Sequence, residues 1–222
     1  HPHSRAVDGR ASRRRPASGP HTNTGGAVSV ALQSDFIGEA ETGFETADRD
    51  SYALPFLQIL QSGSPQVKKS DGAYIKGAEE GMLLETVSGN VLDGEKGFVC
   101  VCVYFEHIYN EWAPRETGGG YRGRHSAAEA ARMPTTQNEK GQDVLASGNL
   151  LVSTHNHYVL IVSEGAFKPA ILSMSSTQAK KSKQWLTVAN SLRLKAPDGS
   201  FKIPPLYSSL WRVTTQPESN DK

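Results

Sequence analysis

FVCVCVYF, residues 98–105, is apolar at every position and rich in β-branched and aromatic side chains. A strand that alternates shows water on one face; this one does not alternate, so the reading predicts a strand with both faces covered. Tyr109 to Trp112 extends it past a bend. Cys100 and Cys102 are two apart within the run and therefore share a strand face. Neighbours on one strand make a poor disulfide, so both read as small buried apolar residues in a reducing, intracellular setting.

Outward from this strand, turn chemistry and apolar runs alternate. Met82 to Val87 reads as a strand, followed by the turn residues Ser88-Gly89-Asn90 and Asp93-Gly94. Tyr52 to Leu60 is a compact apolar stretch whose Pro55 argues against an uninterrupted helix. Pro114 to Gly123 is a loop, His125 to Met133 a short Ala-rich helix, and Thr135 to Asn149 a polar, mobile segment. His157 to Ser163 and Phe167 to Met174 form a hairpin about Glu164-Gly165-Ala166. Ser175, Ser176 and Thr177 offer N-caps for a helix to about Leu194. At about 100° per residue its apolar face holds Trp185, Leu186, Val188, Ala189 and Leu192, and its polar face Lys180, Lys183, Gln184, Thr187 and Asn190, with Lys181 at the boundary. Leu206 to Thr214 is a last strand. Five antiparallel strands and one amphipathic helix in a mixed, β-rich (α+β) domain predict an OB-like barrel, although the helix falls between the fourth and fifth strands rather than the third and fourth.

The chain has 222 residues, of which 37% are hydrophobic and 21% charged; its 21 Gly and 12 Pro make it loop-rich. That length suits one ordinary domain with flexible ends. Residues 1–50 read as a disordered tail and acidic linker, 51–216 as a single β-rich domain and 217–222 as a short tail. No apolar run approaches the ~18 residues of a membrane span. The first residues hold Arg5, Arg10, Arg13, Arg14 and Arg15 without an apolar core, which is no secretory signal. The chain begins at His1 instead of Met, so this part is taken as a trimmed or non-native lead, with Val28 an alternative start. Together these readings place the protein in the cytoplasm.

The net charge of +1 conceals a pattern. Five Arg against Asp8 make residues 1–34 basic. Asp35, Glu39, Glu41, Glu45, Asp48 and Asp50 against Arg49 make residues 35–50 acidic. Between Glu164 and Asp198 there is no acidic residue, while Lys168, Lys180, Lys181, Lys183, Arg193 and Lys195 all fall there. Such local clusters say more about a partner than the total does.

Two constellations fit single-stranded nucleic acid, which is held by cationic grooves and aromatic stacking platforms. SSTQAKKSKQW brings Lys180, Lys181, Lys183 and Trp185 together at a helix start, where amides can meet a phosphate. A solvated helix face, with Trp185 in the core, is the competing reading. EWAPRETGGGYRGRH interleaves Trp112, Arg115, Tyr121, Arg122, Arg124 and His125 on a glycine frame, suited to phosphate contacts and stacking; an ordinary loop competes with it.

Other patterns are weaker. Gly118, Gly120 and Gly123 match G-x-G-x-x-G, but Pro114 to Thr117 separates them from the strand and no parallel βαβ unit surrounds them. His155 and His157 share a strand face and begin a metal site, yet no third or fourth ligand is near. Asp93-Gly94-Glu95-Lys96 has the acidic-x-Lys order of metal-dependent nucleases, on a turn instead of a strand. GKS/GKT, HExxH and GxSxG are absent from the sequence. These observations predict a binding protein without catalytic residues, metal or cofactor.

LPFLQILQSGSPQV (54–67), EWAPRE with GGG (111–120), SMSSTQAKKSKQW (173–185) and TTQPESNDK (214–222) resemble a group of tailed-phage early-region proteins associated with replication and recombination, and with single-stranded DNA-binding proteins of the T7 type. The resemblance covers roughly residues 50–222. It implies a single-stranded DNA-coating protein that uses a β-barrel surface without a cofactor, contacts DNA through Arg115, Tyr121, Arg122, Arg124, Lys180, Lys181 and Lys183, and works with replication or recombination proteins in the host cytoplasm; a homo-oligomer and a monomer both stay open. Proteins of that type end in a strongly acidic tail, whereas this chain stops at Pro217-Glu218-Ser219-Asn220-Asp221-Lys222; the acidic segment 35–50 is a candidate substitute. The competing expectations are a phage virion or assembly protein with Tyr52 to Leu60 as its interface, and a metal-dependent DNA-processing enzyme relying on Glu95 or His157.

Overall fold

The computed structural model describes residues 42–48, 51–163 and 165–218. The proposed disordered tail, most of the acidic linker, Glu164 and the last four residues lie outside them; residues 42–48 are exposed turns. The strands are β1 (Phe56–Ile59), β2 (Leu83–Glu85), β3 (Val91–Leu92), β4 (Phe98–Trp112), β5 (Tyr121–Ser126), β6 (Thr135–Gln137), β7 (Asp143–Leu145), β8 (Leu150–Ser163), β9 (Ala166–Ser175), β10 (Leu194–Lys195), β11 (Phe201–Lys202) and β12 (Leu210–Val213). The helices are α1 (Ala127–Ala130) and α2 (Thr177–Ser191).

The protein is β-rich with helices, as the sequence predicts, but it is not a five-stranded barrel. One ten-stranded sheet runs β12-β4-β8-β9-β1-β2-β3, with β5 on β4 and the β6–β7 hairpin on β8, and β10–β11 form a separate hairpin. The two ends of that order do not pair, so the sheet stays open. Nor is it wholly antiparallel, since β1 runs parallel to β9. Short strands such as β3 and β6 escape sequence reading because two or three residues carry no periodicity. The segment 135–149, expected to be mobile, makes the β6–β7 hairpin, and Leu145 packs with Ala130 and Leu151 in a small core. The segment Pro114 to Gly123 closes sooner than expected: β5 already begins at Tyr121, and α1 is a single turn boxed by Ser126 and Glu129. The last strand is also shorter than Leu206 to Thr214, with a 3-10 turn over Leu206–Ser208 before β12.

The central pair is β4 with β8, in register from Val99↔Val162 to Trp112↔Leu150. The register slips once, between Cys102 and Tyr104, leaving Val103 as an extra residue. Side chains alternate across a strand, so the slip exchanges the faces of β4. Phe98, Cys100 and Cys102 share one face with Phe105, His107 and Tyr109 beyond the bulge. Ser153, His155, His157 and Val159 of β8 lie on that same face. The main core forms here: Leu57, Leu83, Phe98, Cys100, Cys102, Val159, Ala170 and Leu172, with Trp185 of α2 and Trp211 of β12 packed on it. Burial pushes the Cys100 thiol up to about 12 and the Cys102 thiol up to about 11. Both are free thiols, which fits their reading as apolar core residues.

The expectation that both faces of FVCVCVYF are covered fails. Val103 and Tyr104 are exposed, and Val99 and Val101 are only half-buried. Continuous apolarity therefore marks one face against the core and one that shows apolar side chains at the surface.

Two glycines close the end of β12 onto the sheet. Thr215 N–H donates to the Gly94 carbonyl at 2.8 Å. At Gly97, φ is +63° and an added Cβ would stand 2.0 Å from the Val213 carbonyl oxygen. Left-handed backbone and a backbone clash act together there. Gly97→Ala is expected to lower stability by more than ~1 kcal/mol, read as a fall in urea midpoint; an unchanged midpoint would show that the β12 end yields freely.

Candidate functional site

The helix is tied to the sheet by a buried polar clamp. Ser182 faces the sheet from the middle of α2, and its Oγ lies 2.8 Å from His155 Nδ1 and 2.7 Å from His157 Nε2. The hydroxyl donates to one ring and accepts from the other. The His157 ring stacks on Trp185 at 4.4 Å and 5°, and Trp185 leans on Trp211 at 5.7 Å. Phe105 closes the other side of both imidazoles.

This clamp corrects the helix reading. The buried stripe of α2 centres on Ser182 and Trp185, while Val188 and Leu192, assigned to the apolar face, are exposed. Only the front of the helix lies on the sheet. A serine can occupy the middle of the contact because two imidazoles satisfy it. Nothing in the helix sequence marks Ser182; the signal was the His155-x-His157 pair, whose shared face needed a polar partner. The N-cap reading is corrected too. Ser176 is the N-cap, but its side chain makes no capping bond and its backbone sits at φ 50° and ψ −121°.

A serine at hydrogen-bond distance from imidazoles also suggests a nucleophile and base. Ser182 and His157 are completely buried, however, so the pair fastens α2 in place. Among the described residues no three His, Cys, Asp or Glu side chains form a metal cluster. Asp93, in the nuclease-like tetrapeptide, accepts from the Glu95 and Lys96 amides and shapes the turn. The glycines 118–123 lead from β4 into β5, which pairs back antiparallel, and not into a helix, which does not supply the βαβ unit of a dinucleotide site.

The proposed contact residues fall into two groups on opposite faces. Lys180 and Lys183 lie on the outer side of α2. With Ser176, Gln184, Thr187 and Val188 they line a shallow groove of about 620 Å³. Lys181 turns to Glu218 at 3.6 Å, an exposed pair worth little. Trp185 faces inward against the core.

The second group sits at the far end of β4 and β5, on the face away from α2. Trp112 and Tyr121 are paired across the strands, 40% and 53% exposed, with ring centroids 5.4 Å apart. Register puts Arg124 on their face, where it is held by Glu106 at 2.6 Å; Glu106 also accepts from the Tyr158 hydroxyl at 3.0 Å. Arg122 falls at the irregularity between the Glu111 and Trp112 pairings, and Arg115 is exposed in the 3-10 turn just beyond β4. On the other face, Glu111 holds Asn149 and His125, at 2.5 and 2.9 Å. Those hydrogen bonds, Asn149 first, hold its carboxyl below the usual range, with help from the charge of Arg122. His125, grouped with the loop in the sequence, is thus engaged inside the hairpin.

Burial lowers the His157 pKa to about 4, and the neighbouring His155 adds to the shift; His155 is lowered as well, by burial first and then by His107 and Lys183. An unfolded imidazole titrates near ~6.5. Between about 4 and ~6.5 the unfolded chain therefore binds more protons, so stability falls as pH drops through that window and is fully present above it. Thermal melts from pH 7 to 4.5 are expected to lose several degrees, and His157→Gln to flatten that dependence. Ser182→Ala leaves both rings without their bridge and is expected to cost about 1–3 kcal/mol at neutral pH, measured by urea unfolding.

A family model described as Pam3 phage gp34-like protein matches residues 23–222 of the chain. No curated protein and no solved structure matches it. No helix among the described residues is long and apolar enough to cross a membrane.

Proposed function

The chain belongs to the Pam3 phage gp34-like protein family, and from that premise we propose that it binds single-stranded DNA during phage DNA replication or recombination. The observation that carries this reading is the exposed Trp112–Tyr121 pair on neighbouring strands, with Arg124 on the same face. Aromatic rings held open to solvent stack on bases of any sequence, and guanidinium groups beside them meet phosphates. A pair of this kind that served packing alone would gain by turning inward. The Lys180 and Lys183 face of α2 is a second cationic surface on the opposite side, suited to the strand before or after the stacked bases.

Such binding needs no cofactor and no covalent step, so we read the protein as a non-enzymatic partner of replication or recombination proteins, acting in the host cytoplasm. The assembly reading loses its expected interface, since β1 lies between β2 and β9 with Leu57 and Leu60 buried, and keeps one observation in its favour, the exposed apolar end of the sheet. The metal-dependent enzyme reading has none.

Fluorescence anisotropy with labelled oligo-dT and a matching duplex, at ~50 and ~300 mM salt, tests the proposal. Single-strand binding is expected to weaken with salt. Trp112→Ala should reduce it about 5- to 150-fold, the worth of one stacked base at ~1–3 kcal/mol. The Lys180, Lys181, Lys183 triple-alanine variant should flatten the salt slope. Absence of binding to either oligonucleotide at low salt sinks the reading.

A further inference from the structure

β10 and β11 pair with each other in a hairpin separate from the main sheet. Their large apolar side chains stay in water. Leu194 is 57% exposed and Phe201 68%, and neither belongs to a core cluster of the described residues. A lone two-stranded hairpin is marginal in water, and this one is held by its own polar bonds. At the tip Gly199, at φ +82°, donates its N–H to the Ala196 carbonyl at 2.9 Å, and Ala196 N–H donates to the Ser200 carbonyl at 2.8 Å. Asp198 accepts from the amide and the hydroxyl of Ser200. At the base, where the chain leaves α2, Arg193 donates to the Asn190 and Leu192 carbonyls.

Register fixes what each face of the hairpin carries. Leu194 lies across from Lys202, and Lys195 across from Phe201. Cross-strand partners share a face and chain neighbours do not. Each face therefore presents one lysine and one large apolar side chain. Both lysines are exposed, and among the described residues neither has an acidic partner. The one acid of the hairpin, Asp198, sits at its tip.

We propose that the β10–β11 hairpin is a binding arm for duplex nucleic acid, inserted into the major groove with its two faces toward the two walls. Three features select that occupant. The first is the likeness of the two faces. A membrane surface or an apolar protein groove takes an element with one apolar and one polar face, whereas here both faces are half cationic and half apolar. A groove has a phosphate backbone on either side and so calls for a cation on both faces. The second is the order of charge. Phosphates laid across the tip would repel Asp198. With the tip at the floor of the groove, Asp198 meets base edges, where the exocyclic amines of cytosine and adenine donate hydrogen bonds, and Leu194 and Phe201 meet apolar groups such as thymine methyls. The third is size. The major groove, ~12 Å wide and ~8.5 Å deep, admits a two-stranded ribbon. The three steps from Leu194 to Pro197, at ~3.3 Å each, reach about 10 Å.

This proposal does not rest on the single-strand reading, because the hairpin follows α2 and the Trp112–Tyr121 pair lies on the face away from that helix. The test is anisotropy with a labelled two-turn duplex and with oligo-dT, titrated with salt, beside sedimentation with phosphatidylglycerol vesicles. The Lys195→Ala, Lys202→Ala double variant, altered only at exposed positions, should weaken duplex binding and lower its log–log salt slope by about two, one for each phosphate contact removed. Phe201→Ala should weaken duplex binding with the slope unchanged. Both variants should keep the wild-type circular dichroism spectrum and oligo-dT affinity, and Trp112→Ala should lose oligo-dT affinity while keeping the duplex. No duplex binding by the wild type at low salt, a slope unchanged in the double variant, an equal loss of duplex and oligo-dT binding, or vesicle binding that the double variant removes while duplex binding stays would each overturn the proposal. Failure of oligo-dT binding alone sinks the single-strand reading and leaves this one standing.

Discussion

β4 is too long to serve one purpose along its whole length, and the slip at Val103 divides it. Without that slip, strict alternation would carry the side of Phe98, Cys100 and Cys102 on through Tyr104 and Glu106, driving a carboxylate under α2 and throwing Phe105 and His107 to the other face. With it, an aromatic ring and an imidazole continue the covered face. Glu106 instead stands with Arg124 and Tyr158 on the side away from the helix. A single irregularity of register thus supplies the floor on which α2 rests and confines the ion pair to the other face.

What rests on that floor is held by polar chemistry more than by apolar area. The helix has few large apolar residues, and Val188, with Leu192 just past its end, is exposed. Its contact is concentrated in Ser182 and Trp185 on His155 and His157. A buried network of this kind specifies one position of the helix, because sliding by a residue would strand two imidazoles without a partner. The cost is sensitivity to acid, since the same burial that strengthens the hydrogen bonds opposes protonation of both rings. Fixing α2 in this way directs Lys180 and Lys183 outward along one groove.

Much of this was legible in the sequence where the signal was long. β4, β9 and α2 were found close to their observed bounds, as were the outward lysines and the shared face of the two cysteines, while β8 was found only from His157 although it begins at Leu150. The failures have particular physical causes. The barrel expectation came from counting only strands long enough to show a pattern, and two- and three-residue strands such as β3 and β6 show none. The covered-face expectation took apolarity for burial, which holds in a sheet wrapped by helices and fails where a sheet face meets the surface. Ser182 was missed because a buried serine differs from an exposed one only in its partners, and those lie more than twenty residues away in sequence. The division of the contact residues between two faces was equally hidden, since it depends on a bulge that FVCVCVYF does not announce.

The outer face of the sheet then has an order that the individual residues do not suggest. Its β12–β9 end is largely apolar; its Trp112 end is aromatic, with Arg124 on the same face; the buried middle keeps them apart. Two surfaces of different chemistry can be used at once only if neither intrudes on the other. A long strand such as β4, running under both, gives that separation, because side chains eight residues apart on it are about 26 Å from each other.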